Sequence, residues 1–245
     1  MLIVANWKMH GDAAFLANWA KDFEAPRDGV KVLVCPSAPY LSAARALLPE
    51  TVFLGAQNVA RWPEDGAYTG EISAPMLVDC GCSHVLVGHS ERRILAQESD
   101  ADCAAKLSAA VAFGLCPILC VGESADARAA GDIEAVVRAQ LQKGLQGATP
   151  AVFSALTIAY EPLWAIGTAL TPTMEQIGTM HRFIRSTLIS QTTAFGDKIT
   201  ILYGGSVHER NVADILSCSE TGGVLVGGAS LKAQSFADIC RLAAA

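Results

Sequence analysis

Eight short apolar runs, each of strand length and each ending in a polar or glycine-bearing turn, most constrain what this chain can fold into. They occupy residues 2–5, 32–35, 52–56, 85–87, 117–121, 156–160, 199–203 and 224–226. Their hydrophobicity is continuous rather than alternating, as expected of parallel strands covered on both faces. Helix-like segments fill the gaps. Residues 13–23 set Phe15, Leu16, Trp19 and Phe23 on one face, and residues 132–145 set Ile133, Val136, Val137, Leu141 and Leu145 at helical spacing. Segments 40–48, 74–80, 100–113, 212–216 and 235–242 complete the set. Thr171-Pro172 reads as an N-cap followed by proline at the first helical position, opening a helix to about residue 190. A strand-then-helix unit repeated eight times in 245 residues predicts an α/β fold, a (β/α)8 barrel of eight parallel strands with outer helices, as a single domain over residues 1–245. Periodicity alone leaves a doubly wound open sheet as the alternative.

Composition narrows the partners. The chain is 51% hydrophobic and 17% charged, which supports a packed core. A formal net charge of -6 without a basic tract argues against nucleic acid and anionic membranes, yet leaves room for a small anionic substrate held by a few local cations and N–H groups. No apolar run reaches bilayer length, and Met1-Leu2-Ile3-Val4-Ala5 is too short for a secretory core, so the expected location is cytoplasmic. Of the eight cysteines, Cys35, Cys116 and Cys120 sit inside or beside apolar runs, and none falls in a zinc spacing. They read as reduced, buried thiols, with no metal implied.

In a barrel, active groups lie just after the strands. Asn6 and Lys8 follow the first run, His89 the fourth, Glu123 the fifth, Glu161 the sixth, Gly204-Gly205-Ser206 the seventh and Gly227-Gly228 the eighth. Glu161 stands out. Pro162 stops its strand, and the apolar loop Leu163-Trp164-Ala165-Ile166 is closed by Gly167-Thr168-Ala169. A carboxylate desolvated beneath such a loop is a stronger base. Two glycine turns after consecutive strands let backbone N–H groups approach an anion, and Ala229-Ser230-Leu231-Lys232 reads as a short helix behind the second. His89 begins the helical turn Ser90-Glu91-Arg92-Arg93, where the dipole disfavours imidazolium, so a neutral imidazole is expected to polarise a carbonyl. Lys8 is suited to neutralising a dianion with Glu91 holding it, and Asn6 offers a donor and an acceptor. One base, one polariser, one cation and an anion nest suit proton abstraction beside the carbonyl of a small phosphorylated sugar. The connection from Asn58 to Ser73 is too long for an ordinary βα turn and reads as functional or as an interface arm.

These residues resemble a known family. Asn6-Trp7-Lys8, Val87-Gly88-His89-Ser90-Glu91-Arg92-Arg93, Ala159-Tyr160-Glu161-Pro162 with Trp164-Ala165-Ile166-Gly167-Thr168, Tyr203-Gly204-Gly205-Ser206-Val207 and Leu225-Val226-Gly227-Gly228-Ala229-Ser230-Leu231 are together similar to triosephosphate isomerases, from Leu2 to the last helix. The resemblance implies interconversion of dihydroxyacetone phosphate and D-glyceraldehyde 3-phosphate through an enediolate, without cofactor or metal. It implies Glu161 as the base, His89 as polariser and proton relay, and Lys8 and Asn6 as stabilisers of the developing charge. Gly167, Ser206, Gly227 and Gly228 supply N–H groups to phosphate, residues 162–169 form a lid, Glu91 supports Lys8, and Cys120 lies behind the base. It also implies a homodimer through the 58–73 arm. The chain departs from the family pattern at His10, at Ala96-Gln97 in place of Phe-Gly, and at Ala169-Leu170, where the lid usually ends Gly-Lys. Another phosphosugar isomerase and a non-catalytic barrel are the competing readings.

Overall fold

The structure, a computed structural model, describes residues 1–26, 29–165 and 171–244. Among them run β1 (Leu2–Asn6), β2 (Lys31–Cys35), β3 (Val52–Ala56), β4 (His84–Val87), β5 (Cys116–Val121), β6 (Thr157–Tyr160), β7 (Thr200–Tyr203) and β8 (Gly223–Val226). They close into a barrel in chain order, all parallel. The open-sheet alternative is excluded by the seam between first and last strands, which pairs Leu2 with Gly223 and Ala5 with Val226. Around it lie α1 (Ala13–Asp22), α2 (Leu41–Leu47), α3 (Ala74–Asp79), α4 (Ser90–Leu95), α5 (Asp100–Ala112), α6 (Ala125–Ala130), α7 (Ile133–Gly144), α8 (Pro150–Ala155), α9 (Met174–Gln191), α10 (Val212–Ser217) and α11 (Ala233–Leu242). None of the described helices is long and apolar enough to cross a membrane.

Why the strands are apolar throughout is visible in their two faces. Leu2, Val4, Leu33, Cys35, Leu86, Ile118, Cys120, Ala159, Leu202 and Leu225 pack together as one cluster inside the barrel. Their alternates, among them Ile3, Ala5, Val34, Val85, Val87, Leu119, Ile158, Ile201 and Val224, join the layer beneath the helices. Side chains alternate along a strand, so each strand feeds both cores. The same alternation aims the site. Asn6 continues the inward set of Leu2 and Val4, Glu161 that of Ala159, Gly204 that of Leu202 and Gly227 that of Leu225.

Helix α1 carries this order to the mouth. Asp12 caps it, its carboxylate accepting from Phe15 N at 2.7 Å. Its aromatic face stacks Phe15 and Trp19 edge-on against Trp7 at 5.1 and 5.0 Å, and Phe23 against Trp19 at 4.6 Å. Trp19 Nε1 then donates to Ser230 O at 2.9 Å, fixing the 3-10 turn Gly228–Leu231 after β8. That turn is where a short helix was expected.

Helix α9 starts later than Thr171-Pro172 suggested. Thr173 is the N-cap, accepting from Gln176 N, and the Gln176 side chain accepts from Thr173 N, a reciprocal capping box. Two orphan N–H groups satisfied together outweigh a proline preference. The sequence reading passed over α6 and α8, whose serine and threonine caps, Ser124 and Thr149, precede short and weakly patterned segments. Segment 58–73 holds neither helix nor strand, as expected. It is stapled to itself and to α5 by Trp62 stacked on Tyr68 at 4.1 Å and by Arg61 paired with Asp102 at 2.6 Å.

Candidate active site

A cleft of about 460 Å³ opens at the C-terminal mouth of the barrel, lined by Asn6, Lys8, His89, Glu161, Ser206, Gly227 and Gly228 among others. Thus the ends of five strands, β1, β4, β6, β7 and β8, converge on one space. Gly167, Ala169 and Leu170 lie outside the described residues.

Glu161 is 2% exposed. One carboxylate oxygen accepts from Ser90 N at 2.9 Å and the other lies 3.0 Å from His89 Nε2. Gly204 crosses directly beside it: its N–H donates to Tyr160 O at 2.7 Å, and a Cβ on Gly204 would stand 3.0 Å from Glu161 Cγ. Glycine at the first position of the turn therefore leaves room for the carboxylate as well as for a ligand. Cys120 is fully buried in the inner cluster, and burial, with the Glu161 charge second, pushes its thiol well above the ordinary range.

His89 caps α4. Its Nδ1 accepts from Glu91 N at 3.3 Å, which leaves the proton on Nε2, directed at Glu161. Burial works against the imidazolium, but the neighbouring Glu161 carboxylate more than offsets it, and the His89 pKa is raised overall. The expectation of a histidine held neutral by the helix terminus is thus opposed by the partner carboxylate. The turn behind His89 is pinned from three sides. Gly88 N donates to Glu98 at 3.0 Å, Arg93 Nε donates to Gly88 O at 2.8 Å, and another Arg93 nitrogen donates to Cys120 O at 3.2 Å. Glu98 is buried and shared between Arg92 and Lys106, while Lys106 also donates to Asn58 Oδ1 at 2.8 Å. Burial raises the Glu98 pKa, but hydrogen bonds and charge from these two cations win and leave it lowered.

Lys8 adopts φ 52, the left-handed region. Such a conformation costs about 1–3 kcal/mol and persists where the surroundings impose it. They do so here. Asn6 Oδ1 accepts from Lys8 N at 3.0 Å, and Lys8 O accepts from Ser37 Oγ at 2.9 Å and Gln57 Nε2 at 2.8 Å. The result carries the ammonium back over the cleft, 2.6 Å from Glu91. The Gly227 Cα stands so that a Cβ would meet Lys8 Cε at 3.5 Å, and Gly228 faces open space.

Glu123 is the correction. Sequence position put it with the mouth residues, but it does not line the cleft. It lies two residues past β5, on the outward set, fully buried against the helix layer. It accepts from Tyr160 O–H at 3.1 Å and from Trp164 Nε1 at 2.7 Å, with Arg128 at 3.7 Å. Burial pushes its pKa up, and these donors pull it only part of the way back. The sequence reading also missed Ser90, whose N–H holds the base. A serine directly after the histidine at a helix start was the available signal, since its N–H is one of the helix's unpaired donors.

The eight cysteines are free. Comparison with known proteins agrees with this geometry. The family model for triosephosphate isomerase matches residues 1–243. A triosephosphate isomerase of Acidiphilium cryptum is 47% identical over 249 residues, covering 99% of this chain and 98% of its own. Those of Thiobacillus denitrificans and Alcanivorax borkumensis are 46% and 43% identical, each covering 99% of this chain and 98% of their own. With the barrel, the strand-end carboxylate and the full-length match in agreement, the chain belongs to the triosephosphate isomerase family.

Proposed function

We propose that Glu161 is the general base, His89 the carbonyl polariser, and Lys8 and Asn6 the groups that stabilise substrate and enediolate, with N–H groups of Ser206, Gly227 and Gly228, and of Gly167, on the phosphate. The reaction is the family's interconversion of dihydroxyacetone phosphate and D-glyceraldehyde 3-phosphate. The observation that carries this assignment is the contact of Glu161 with both His89 Nε2 and Ser90 N inside a cleft that also holds Lys8.

The steps follow from these contacts. Substrate phosphate enters against the glycine turns and the carbonyl points to His89 and Lys8. Glu161 exchanges its hold on Ser90 N and His89 for the carbon-bound proton at C1. That departure frees His89 Nε2–H for the carbonyl oxygen. It also moves away the carboxylate that does most to raise the His89 pKa, so that burial and the Lys8 charge favour the neutral ring against the smaller pull of the Glu91 carboxylate. As the C1 proton leaves, the electron pair spreads onto O2, where Lys8, Asn6 and the Nε2–H meet it. His89 carries the hydroxyl proton from O1 to O2, and Glu161 returns its proton to C2. Each carbon-bound and oxygen-bound proton is accounted for without a cofactor.

The chain acts as one domain and as a homodimer in the cytoplasm. Exposed Met9, Ile94 and Leu95 support the dimer: Met9 and Leu95 line a second cleft of about 320 Å³ that runs to Lys8, and in the proposed dimer the 58–73 arm of a second copy occupies it. The free thiols support the location. A coupled assay with each triose phosphate tests the activity, and folded protein without turnover overturns it. Sedimentation at micromolar concentration tests the dimer, and a monomer mass overturns that part.

A further inference from the structure

The base stands on a platform made by Gly122 and Glu123. Gly122 is buried, and a Cβ there would fall 1.7 Å from the Glu161 carbonyl oxygen, so the two backbones touch. Leu163 N donates to Glu123 O at 3.1 Å, and the Glu123 carboxylate holds Trp164 Nε1 at 2.7 Å. The height of this platform sets the height of the peptide that carries the base.

A residue outside the cleft grips it. Gln140 lies on α7, between the buried Val137 and Leu141, on the side that packs against β5. Its Oε1 accepts from Gly122 N at 2.8 Å and its Nε2 donates to Gly122 O at 3.0 Å. One carboxamide thus satisfies both backbone groups of a single residue. A carboxylate of the same shape has no donor, and a leucine has neither group. A surface helix needs no such residue for its own stability.

We propose that Gln140 is a positioning residue for the base: by clamping both backbone groups of Gly122 it fixes the Gly122–Glu123 platform under Glu161. This rests on Glu161 being the base. The clamp acts on where the carboxylate sits when it reaches the substrate carbon, so its loss slows proton abstraction while the phosphate contacts, on β7 and β8, keep substrate binding.

The test uses the full chain. Gln140→Leu lowers kcat about tenfold, leaves KM within about twofold, and enlarges the isotope effect seen with substrate deuterated at the carbon that loses its proton. In a Glu161→Asp background, where the carboxylate is already displaced, the same substitution lowers kcat by clearly less, because both changes act on one distance. If Gln140→Leu does not fold, Gln140→Glu, which keeps the size and loses the donor, carries the same expectations. Unchanged kcat with a lowered melting temperature, or equal fold-losses in both backgrounds, overturns the proposal. Glu161→Gln separates the two assignments. If it stays active, the base assignment falls and this proposal with it. If it is inactive while both Gln140 variants keep parental kcat, the positioning proposal alone falls.

Discussion

Glu161 and Glu123 follow neighbouring strands, and both are buried, at 2% and 0% exposure. One is the first residue after β6, the other the second after β5. That single step decides their fates. Glu161 keeps the inward set, meets the cleft, and is held by groups that a substrate can replace, the Ser90 N–H and His89. Glu123 takes the outward set and is locked by Tyr160, Trp164 and Arg128, none of which faces the cleft. Burial and residue type are the same; what differs is whether the partners can be exchanged. A carboxylate is available for chemistry when its hydrogen bonds are on the ligand's side.

The sharpest way to break this comparison is to remove both charges in turn. Glu161→Gln lowers kcat by at least about 10²–10⁴, whereas Glu123→Gln keeps kcat within about tenfold; steady-state assays of both decide it, and an equal loss in the two variants erases the distinction. Lys8→Ala, on the inward side, raises KM and lowers kcat, together a loss of about 10²–10³ in kcat/KM; unchanged kinetics would demote Lys8 to a structural role. Gly122→Ala strikes the contact between the two regions. Its added carbon meets the Glu161 carbonyl, and the expected cost is about 3 kcal/mol of stability, read by denaturant unfolding. The Glu123 side also predicts a pH effect. Its folded pKa is raised, so stability falls as pH rises from the unfolded carboxyl value, about 4.3, through the folded one. Glu123→Gln lacks that descent, so melting temperatures at rising pH shift in the variant's favour. The smallest effect lies at Gln97, held at φ 53 where the family usually has glycine. Gln97→Gly gains about 0.5–1 kcal/mol, and a loss on unfolding would show that the Gln97 side chain compensates its own strain.

Much of this architecture was legible. All eight strands stood out because both faces are buried, so their runs are uniformly apolar and end sharply at Pro36, Gly88, Gly122 and Pro162. The site residues were legible where strand order persists, as at Asn6, Glu161 and Gly227. Which way Glu123 points was not, because a run covered on both faces carries no alternation to read. His89 defeats simple alternation in the other sense: Val87 faces outward, yet Gly88 at φ 69 turns the chain and brings His89 into the cleft. The clamp from Gln140 was invisible, since a polar residue on a helix is identical in sequence whether it meets water or a backbone.

The seam between β1 and β8 has a consequence for how the chain is made. Every other seam joins strands consecutive in sequence, so those pairings are available as the polypeptide leaves the ribosome. The partner of Leu2 is Gly223, and until that residue is synthesised β1 presents a bare hydrogen-bonding edge. The loop closed at that moment is nearly the whole protein, which makes it the slowest contact to find. Gly227 and Gly228 hang from β8, the last strand to dock, so the site is assembled only when synthesis is almost complete. A nascent chain stalled before β8 is therefore a sticky sheet with no activity, and quality control has two edges to recognise, β1 and β7.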